Sequence, residues 1–246
     1  MSSPVKLYLK EMHNNVGYFA TWLPANTVKL GDFGVVEGGG FRRLGSLSEL
    51  GIPNSDAREG PPQDMSYSAS AKRTTGASAG VGAVVPSVKA EVSITFTGAG
   101  GYVFEAVGVR SLEIGDRLAT CERILDAYRR QRWEKEWLLI DSVCKAASAT
   151  ILVSLDSSSE VVLKASGDIP LGPLPLADPK LGLTVSSSSG RIVQLVAKSD
   201  LTPLYSCMKI RIPLFESASV MPVRGTGSET ASRALTRLGI DALLES

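Results

Sequence analysis

The 246-residue sequence predicts an α+β fold: a twisted, mostly antiparallel β-sheet with one long central helix and a short C-terminal helix. Three observations predict it. In PSVKAEVSITFTGAGG, Val88, Ala90, Val92, Ile94 and Phe96 fall on one face, with Ser87, Lys89, Glu91, Ser93, Thr95 and Thr97 on the other, the period-2 signature of a strand with two different surroundings. The period changes in mid-chain, where Ile114, Leu118, Cys121, Leu125 and Tyr128 recur in steps of 4, 3, 4 and 3, as on one face of a helix. Strands and helices do not alternate in the βαβ rhythm of a doubly wound sheet.

Element by element, PVKLYLKEMH reads as a short helix with Val5, Leu7, Leu9 and Met12 turned to a core. GYFATWLP and GDFGVVEGGGFRRLGSLSELGI read as short strands with a hairpin turn at Glu37 to Gly40, followed by a brief helical turn opened by Ser46 or Ser48 and stopped by Gly51. Pro53 to Asp64 is polar and reads as a loop. Met65, Tyr67, Ala69 and Ala71 alternate with Ser66, Ser68, Ser70 and Lys72 as a second two-faced strand, joined to the first by the pliable RTTGASAGVGAVV. YVFEAVGVRSLEI is a further strand, and the central helix runs through GDRLATCERILDAYRRQRWEKE. WLLIDSVCKAASATILVSLDSSSEVVLKA gives strands turning at DSSS, GDIPLGPLPLADPKLG a Pro-rich loop, LGLTVSSSSGRIVQLVAK a hairpin, and LTPLYSCMKIRIPLF a closing strand. Leu204, Cys207, Ile210 and Ile212 are its core candidates.

Composition narrows the function. A formal charge of +1 with 21% charged residues gives no electrostatic footprint for nucleic acid. MSSPVKLYLKEMHNN has no apolar core before a cleavage site and no apolar run reaches 18 residues, so a cytoplasmic location is expected. Cys121, Cys144 and Cys207 stand apart and read as buried thiols, and His13 is the only imidazole. A His-ligated metal or a nucleophile with a His base would have to be built around that one side chain. GAGGYVF and GASAGVG match neither phosphate-binding pattern. No catalytic residue, no metal and no cofactor is expected, and Trp22, Trp133 and Trp137 read as core. The basic end of the central helix, Arg129, Arg130, Arg132 and Lys135, is either a solvated face complementing the helix dipole or a contact for lipid headgroups.

From Ser217 the sequence becomes a Ser, Gly and Pro-punctuated linker, and then Thr226 with Glu229 opens a short amphipathic helix through Ala231, Ala234, Leu235, Leu238 and Ala242, with Leu243 beside it. That helix is too short to persist alone. It either completes the core or is a detachable cover docked through Leu235, Leu238 and Leu243.

The order YSASAKRTTGASAGVGAVVPSVKAEVSITF, then GDRLATCERILDAYRRQRWEKE, then WLLIDSVCKAASATILVSLDSSSEVVLKA, continuing to LTPLYSCMKIRI, resembles the gasdermins, especially short bacterial ones. The similarity of layout spans Met1 to Pro213 and rests on no diagnostic motif. It implies a pore-forming domain over 1–215 and an autoinhibitory linker and tail over 216–246. A protease would cut near Val220, Met221, Val223 or Arg224, and Val88, Ala90, Val92, Ile94 and Phe96 would enter the membrane. Partners implied are the activating protease, membrane lipids and further copies of the chain, without nucleic acid. Acylation near the N-terminus is not carried over, since no cysteine precedes Cys121. The competing expectation is a non-enzymatic binding or scaffold protein whose C-terminal helix docks on a partner.

Overall fold

The computed structural model describes residues 4–21, 28–37, 40–53, 56–79, 88–166, 174–210 and 235–237. Within them the chain is α+β with antiparallel sheets, as the alternation predicts. Helix α1 covers Pro4–Val16 and buries Tyr8, Leu9 and Met12, a spacing that puts all three on one face. Pro4 suits the first turn, where its missing N–H is not needed. Gly17, at φ +72°, ends the helix by donating to the His13 carbonyl.

Strands β1 (Phe19–Ala20), β2 (Asp32–Glu37), β3 (Gly40–Ser46), β4 (Ala57–Glu59), β5 (Gln63–Ala69), β6 (Ala71–Ala79), β7 (Val88–Phe96) and β8 (Tyr102–Ile114) follow. After helix α2 (Arg117–Arg129) come β9 (Leu138–Ser154), β10 (Ser159–Lys164), β11 (Thr184–Ser189), β12 (Ile192–Ile210) and β13 (Leu235–Arg237). The chain forms two compact units. One draws on 1–17, 62–110 and 145–203. It contains the sheet β11-β10-β7-β6 and the pairing of β5 with β8. Its core gathers Val92, Ile94 and Phe96 from β7, Val161 and Leu163 from β10, Leu152 from β9, and Leu174, Leu176, Leu181 and Leu183 from the segment between β10 and β11.

The other unit draws on 18–61, 111–144 and the chain from Leu204 onward. It contains the strand order β1-β12-β9-β2-β3, with β4 on β8 and β13 on β12. Its core packs Ile114, Cys121, Ile124 and Ala127 of the α2 region against Phe33, Leu47, Leu139, Met208 and Trp133. Of the expected helical face Cys121 is buried, whereas Ile114 ends β8 and Leu118 is 43% exposed, the buried side of α2 running through Thr120, Cys121, Ile124 and Ala127. Helix α2 also stops at Arg129, so Arg132 and Lys135 lie beyond it rather than in its last turns. The stop is a two-bond C-cap: Arg132 N–H donates to the Ala127 carbonyl at 2.9 Å and Gln131 N–H to that of Tyr128 at 3.0 Å. Gln131 occupies the left-handed region at φ +57°, where a Cβ is penalised. Gln131→Gly is therefore expected to raise stability by about 0.5–1 kcal/mol, the relieved strain outweighing the extra entropy of the unfolded chain. A higher urea midpoint at unchanged slope is the expected reading; an unchanged or lower midpoint contradicts it.

Four expectations are corrected. The strand expected over Met65 to Ala71 is broken at Ser70, whose φ of +51° turns the chain out of one sheet and into another. Strand β6 then continues through RTTGASA, which composition alone marks as a connection. The loop expected over Pro53 to Asp64 contains β4, which pairs Ala57 to Glu59 with Leu112 to Ile114. Within the expected C-terminal helix, Leu235–Arg237 are a strand paired with Met208 to Ile210, since a sheet edge supplies hydrogen bonds that a marginal helix lacks partners to better. The remainder of that tail, including Leu238 and Leu243, lies outside the described residues, as do Trp22 and Ile212.

Candidate functional site

The segment with the clearest two-sidedness is the β6–β7 hairpin. Both strands have nine residues and pair without a break from Ala71↔Phe96 to Ala79↔Val88. Val92, Ile94 and Phe96 are at most 1% exposed, while Thr95 is exposed and Ser93 and Glu91 half-buried. The other side is built from polar pairs, Lys72↔Thr95 and Thr74↔Ser93, with Lys72 and Thr74 exposed. Lys164 pairs with Glu91 at 3.0 Å, and Ser93 Oγ donates to Glu160. Three of the five membrane-strand candidates, Val92, Ile94 and Phe96, therefore meet a protein core here. For Val88 and Ala90 the structure gives the backbone pairing with Ala79 and Ala77.

The register also shows a residue that sequence reading passed over. Arg73 stands directly opposite Ile94, and directly opposed residues share a face. Its guanidinium donates to the Leu174 carbonyl and to Glu105 of β8 at 3.0 Å. Glu105 in turn accepts the Leu176 N–H at 2.6 Å, and Thr150 Oγ1 donates to the Leu176 carbonyl at 2.5 Å. A cation thus sits at the margin of the apolar face, held by a carboxylate whose side chain is 13% exposed.

The helix end assembles as a cleft of about 280 Å³ lined by Leu50 to Pro53 together with Arg123, Asp126, Arg130 and Arg132. Arg130 pairs with Asp126 at 2.8 Å and Arg132 donates to the Leu50 carbonyl at 2.7 Å. Arg129 and Lys135 are exposed. The four headgroup candidates are therefore all exposed, and two of them, Arg130 and Arg132, also make local bonds. Among the cleavage candidates, Val220, Met221, Val223 and Arg224 lie outside the described residues, as does the boundary at 215/216.

The three cysteines are buried and unbridged. Burial pushes the Cys121 thiol up to about 11, against a smaller downward pull from Arg117, so it stays protonated and unreactive near neutrality. His13 lies in the last turn of α1. Among the described residues no group of three or more His, Cys, Asp and Glu side chains could hold a metal, and no helix is long and apolar enough to cross a membrane.

The fold and hairpin define an α+β protein organised around a two-faced, strand-paired element. No family model matches the chain, and no curated protein matches it. Among solved structures, the chain is similar to the cryo-EM structure of the Gasdermin A3 membrane pore, with a TM-score of 0.38 and 10% identity, over 92% of this chain and 97% of that one.

Proposed function

We propose that this protein is a pore-forming effector of the cell-death or defence type, held inactive in the cytoplasm by its C-terminal tail. Proteolysis between about Ser217 and Ser228 would release the 1–215 domain, which then oligomerises in a membrane as a β-barrel. The observation that carries the reading is the β6–β7 hairpin. Two strands of nine residues meet the lower end of the roughly 9–11 residues of a tilted membrane-spanning strand, reaching about 21–24 Å along the bilayer normal at a tilt of about 35–45° against an apolar band of about 25 Å. Uninterrupted pairing leaves no backbone group between them without a partner, the condition for strands in lipid. Arg73 is the third residue of β6, at the end where the hairpin leaves β5. At that depth a lipid-facing cation costs about 0–1 kcal/mol, against roughly 2–4 at the bilayer midplane. Arg129, Arg130, Arg132 and Lys135 are the proposed headgroup contacts, and Leu235 within β13 belongs to the proposed inhibitory contact.

A recognition site for a sequence-specific protease, placed within 217–228 of the full chain, tests the proposal. The uncut chain should leave anionic vesicles intact and the cut chain should release their dye. A cut chain that leaves vesicles of both anionic and zwitterionic lipid intact overturns it, and recovery of the cut chain bound to a soluble partner would favour a scaffold role instead.

A further inference from the structure

The apolar face of β7 shares its buried cluster with residues of β8, β9 and β10 and with one further piece of the chain. Between β10 and β11, Leu174, Leu176, Leu181 and Leu183 enter the same buried cluster as Val92, Ile94 and Phe96. The described residues of this segment, 174–183, contain a 3₁₀ turn at Pro179–Leu181, whose Asp178 cap accepts from the Lys180 N–H. Side chains from three strands hold its first residues. Arg73 of β6 donates to the Leu174 carbonyl, Glu105 of β8 accepts the Leu176 N–H, and Thr150 of β9 donates to the Leu176 carbonyl. Arg73 and Glu105 also pair with each other, so the bonds to the segment and the bond fastening β6 to β8 share the same two charges.

We propose that Leu174–Leu183 is a built-in cover for the apolar face of the β6–β7 hairpin, and that Arg73, Glu105 and Thr150 are the clip that makes the cover and β6 open as one unit. The arrangement follows from the chemistry of the site. Four leucine side chains would favour staying on the core face by hydrophobic burial alone, but burial is non-directional and does not fix which backbone groups meet. The clip does. It satisfies both polar groups of Leu176 where water is excluded, and it neutralises the one cation that the register places opposite Ile94. Lifting the cover leaves Glu105 and Arg73 with a single bond to each other, and lifting β6 leaves Glu105 without its counter-charge. Each motion therefore weakens the other restraint. This inhibitory contact lies wholly within 62–203 and is separate from the C-terminal tail. Its consequence for membranes rests on the pore-forming reading, whereas the cover itself does not.

Native-state hydrogen exchange on the full chain, without lipid, tests the cover. Glu105→Gln keeps an acceptor of the same shape but removes the charge. It should speed exchange at the Leu176, Asp178, Leu181 and Gly182 amides and along β6 by about ten- to hundredfold, the loss of charge-assisted bonds in a low-dielectric site. Exchange in the β2–β3 hairpin should stay as in the wild type. Thr150→Val, which deletes the third bond together with the one that Thr150 Oγ1 accepts from the Ala197 N–H at 2.8 Å, should open the same amides to a smaller degree, with any change at Ala197 read separately, and supplies the result if Glu105→Gln does not fold. No change at these amides in either folded variant, or an equal rise throughout the chain, overturns the proposal. A vesicle arm separates the two readings. If exchange rises as stated and the protease-cut Glu105→Gln chain leaks dye faster than the cut wild type, both stand. If exchange rises while neither cut chain leaks, the cover stands and the pore-forming reading fails.

Discussion

Trp133→Ala is expected to destabilise the protein by about 3–4 kcal/mol, toward the lower part of the range for emptying an aromatic site in a core. Trp133 is 2% exposed, and its ring lies 5.1 Å from that of Phe33 and 5.5 Å from that of Trp137. Phe33 and Trp137 stack at 4.7 Å, so the indole is one side of a three-ring cluster and its loss removes contacts from both partners. One term works the other way. The indole N–H is buried with no hydrogen-bond partner among the described residues, and deleting an unpaired buried donor returns about 1 kcal/mol or more. The same argument makes Trp133→Phe mild, within about 1 kcal/mol of the wild type, because the ring contact persists while the orphan donor disappears. Urea unfolding followed by far-ultraviolet circular dichroism would measure both. A Trp133→Ala cost under about 1.5 kcal/mol, or a Trp133→Phe cost equal to it, contradicts this account.

The parts of the fold that sequence reading anticipates are those where one physical signal acts alone. Alternation in VKAEVSITF fixes which side of β7 is apolar, and Val92, Ile94 and Phe96 are buried accordingly. The turn at DSSS between β9 and β10 and the turn at SSSSG between β11 and β12 carry their own turn chemistry, with Gly190 at φ +77°. The failures occur where two structures share one pattern. Met65 to Ala71 alternates without interruption, and only the left-handed backbone at Ser70 transfers the chain between sheets. Serine gives no warning of that, as glycine or asparagine would have done. Leu235–Arg237 suits a helix by spacing, yet the available hydrogen-bond partners at Met208 to Ile210 decide for a strand.

The candidate site was legible to the same degree. One strand of the hairpin could be read from its side chains, whereas RTTGASA is too poor in apolar residues to announce β6. Arg73 acquires its meaning only from the register that sets it opposite Ile94 and from Glu105 and Leu174, 32 and 101 residues further along the chain. Leucines scattered through GDIPLGPLPLADPKLGL have no period, so nothing local marks Leu174, Leu176, Leu181 and Leu183 as members of the cluster that holds β7. Long-range pairing is the information that a pattern search along one segment does not contain.

Arg117→Met is expected to cost about 2–3 kcal/mol, through a residue that looks misplaced in the sequence. Arg117 is the first residue of α2, where a cation opposes the helix dipole, and the cap is supplied by Asp116, whose side chain accepts the Ala119 N–H at 3.0 Å. The structure gives the reason. The Arg117 guanidinium lies 3.0 Å from a carboxylate oxygen of Asp141, whose side chain is 1% exposed, and the other oxygen accepts from Ser206 Oγ at 2.8 Å. Asp141 is thus a buried charge on β9 that links α2, through Arg117, to β12, through Ser206. Methionine keeps the aliphatic length and relieves the dipole conflict by about 0.3–1 kcal/mol, but it takes the guanidinium away from a buried carboxylate. Breaking a buried pair in this way typically costs about 3–5 kcal/mol. Because the arginine side chain is 41% exposed, water can partly replace it, which places the net figure below that range. Asp141→Asn in the Arg117→Met background removes the buried charge while keeping an acceptor for Ser206, so the double variant should recover most of the loss. The coupling energy from a double-mutant cycle isolates the pair from the packing of each side chain. An Arg117→Met chain within about 0.5 kcal/mol of the wild type, or a double variant no more stable than Arg117→Met alone, would mean that α2 is held by its apolar face through Cys121 and Ile124 and that the buried charge contributes nothing to its placement.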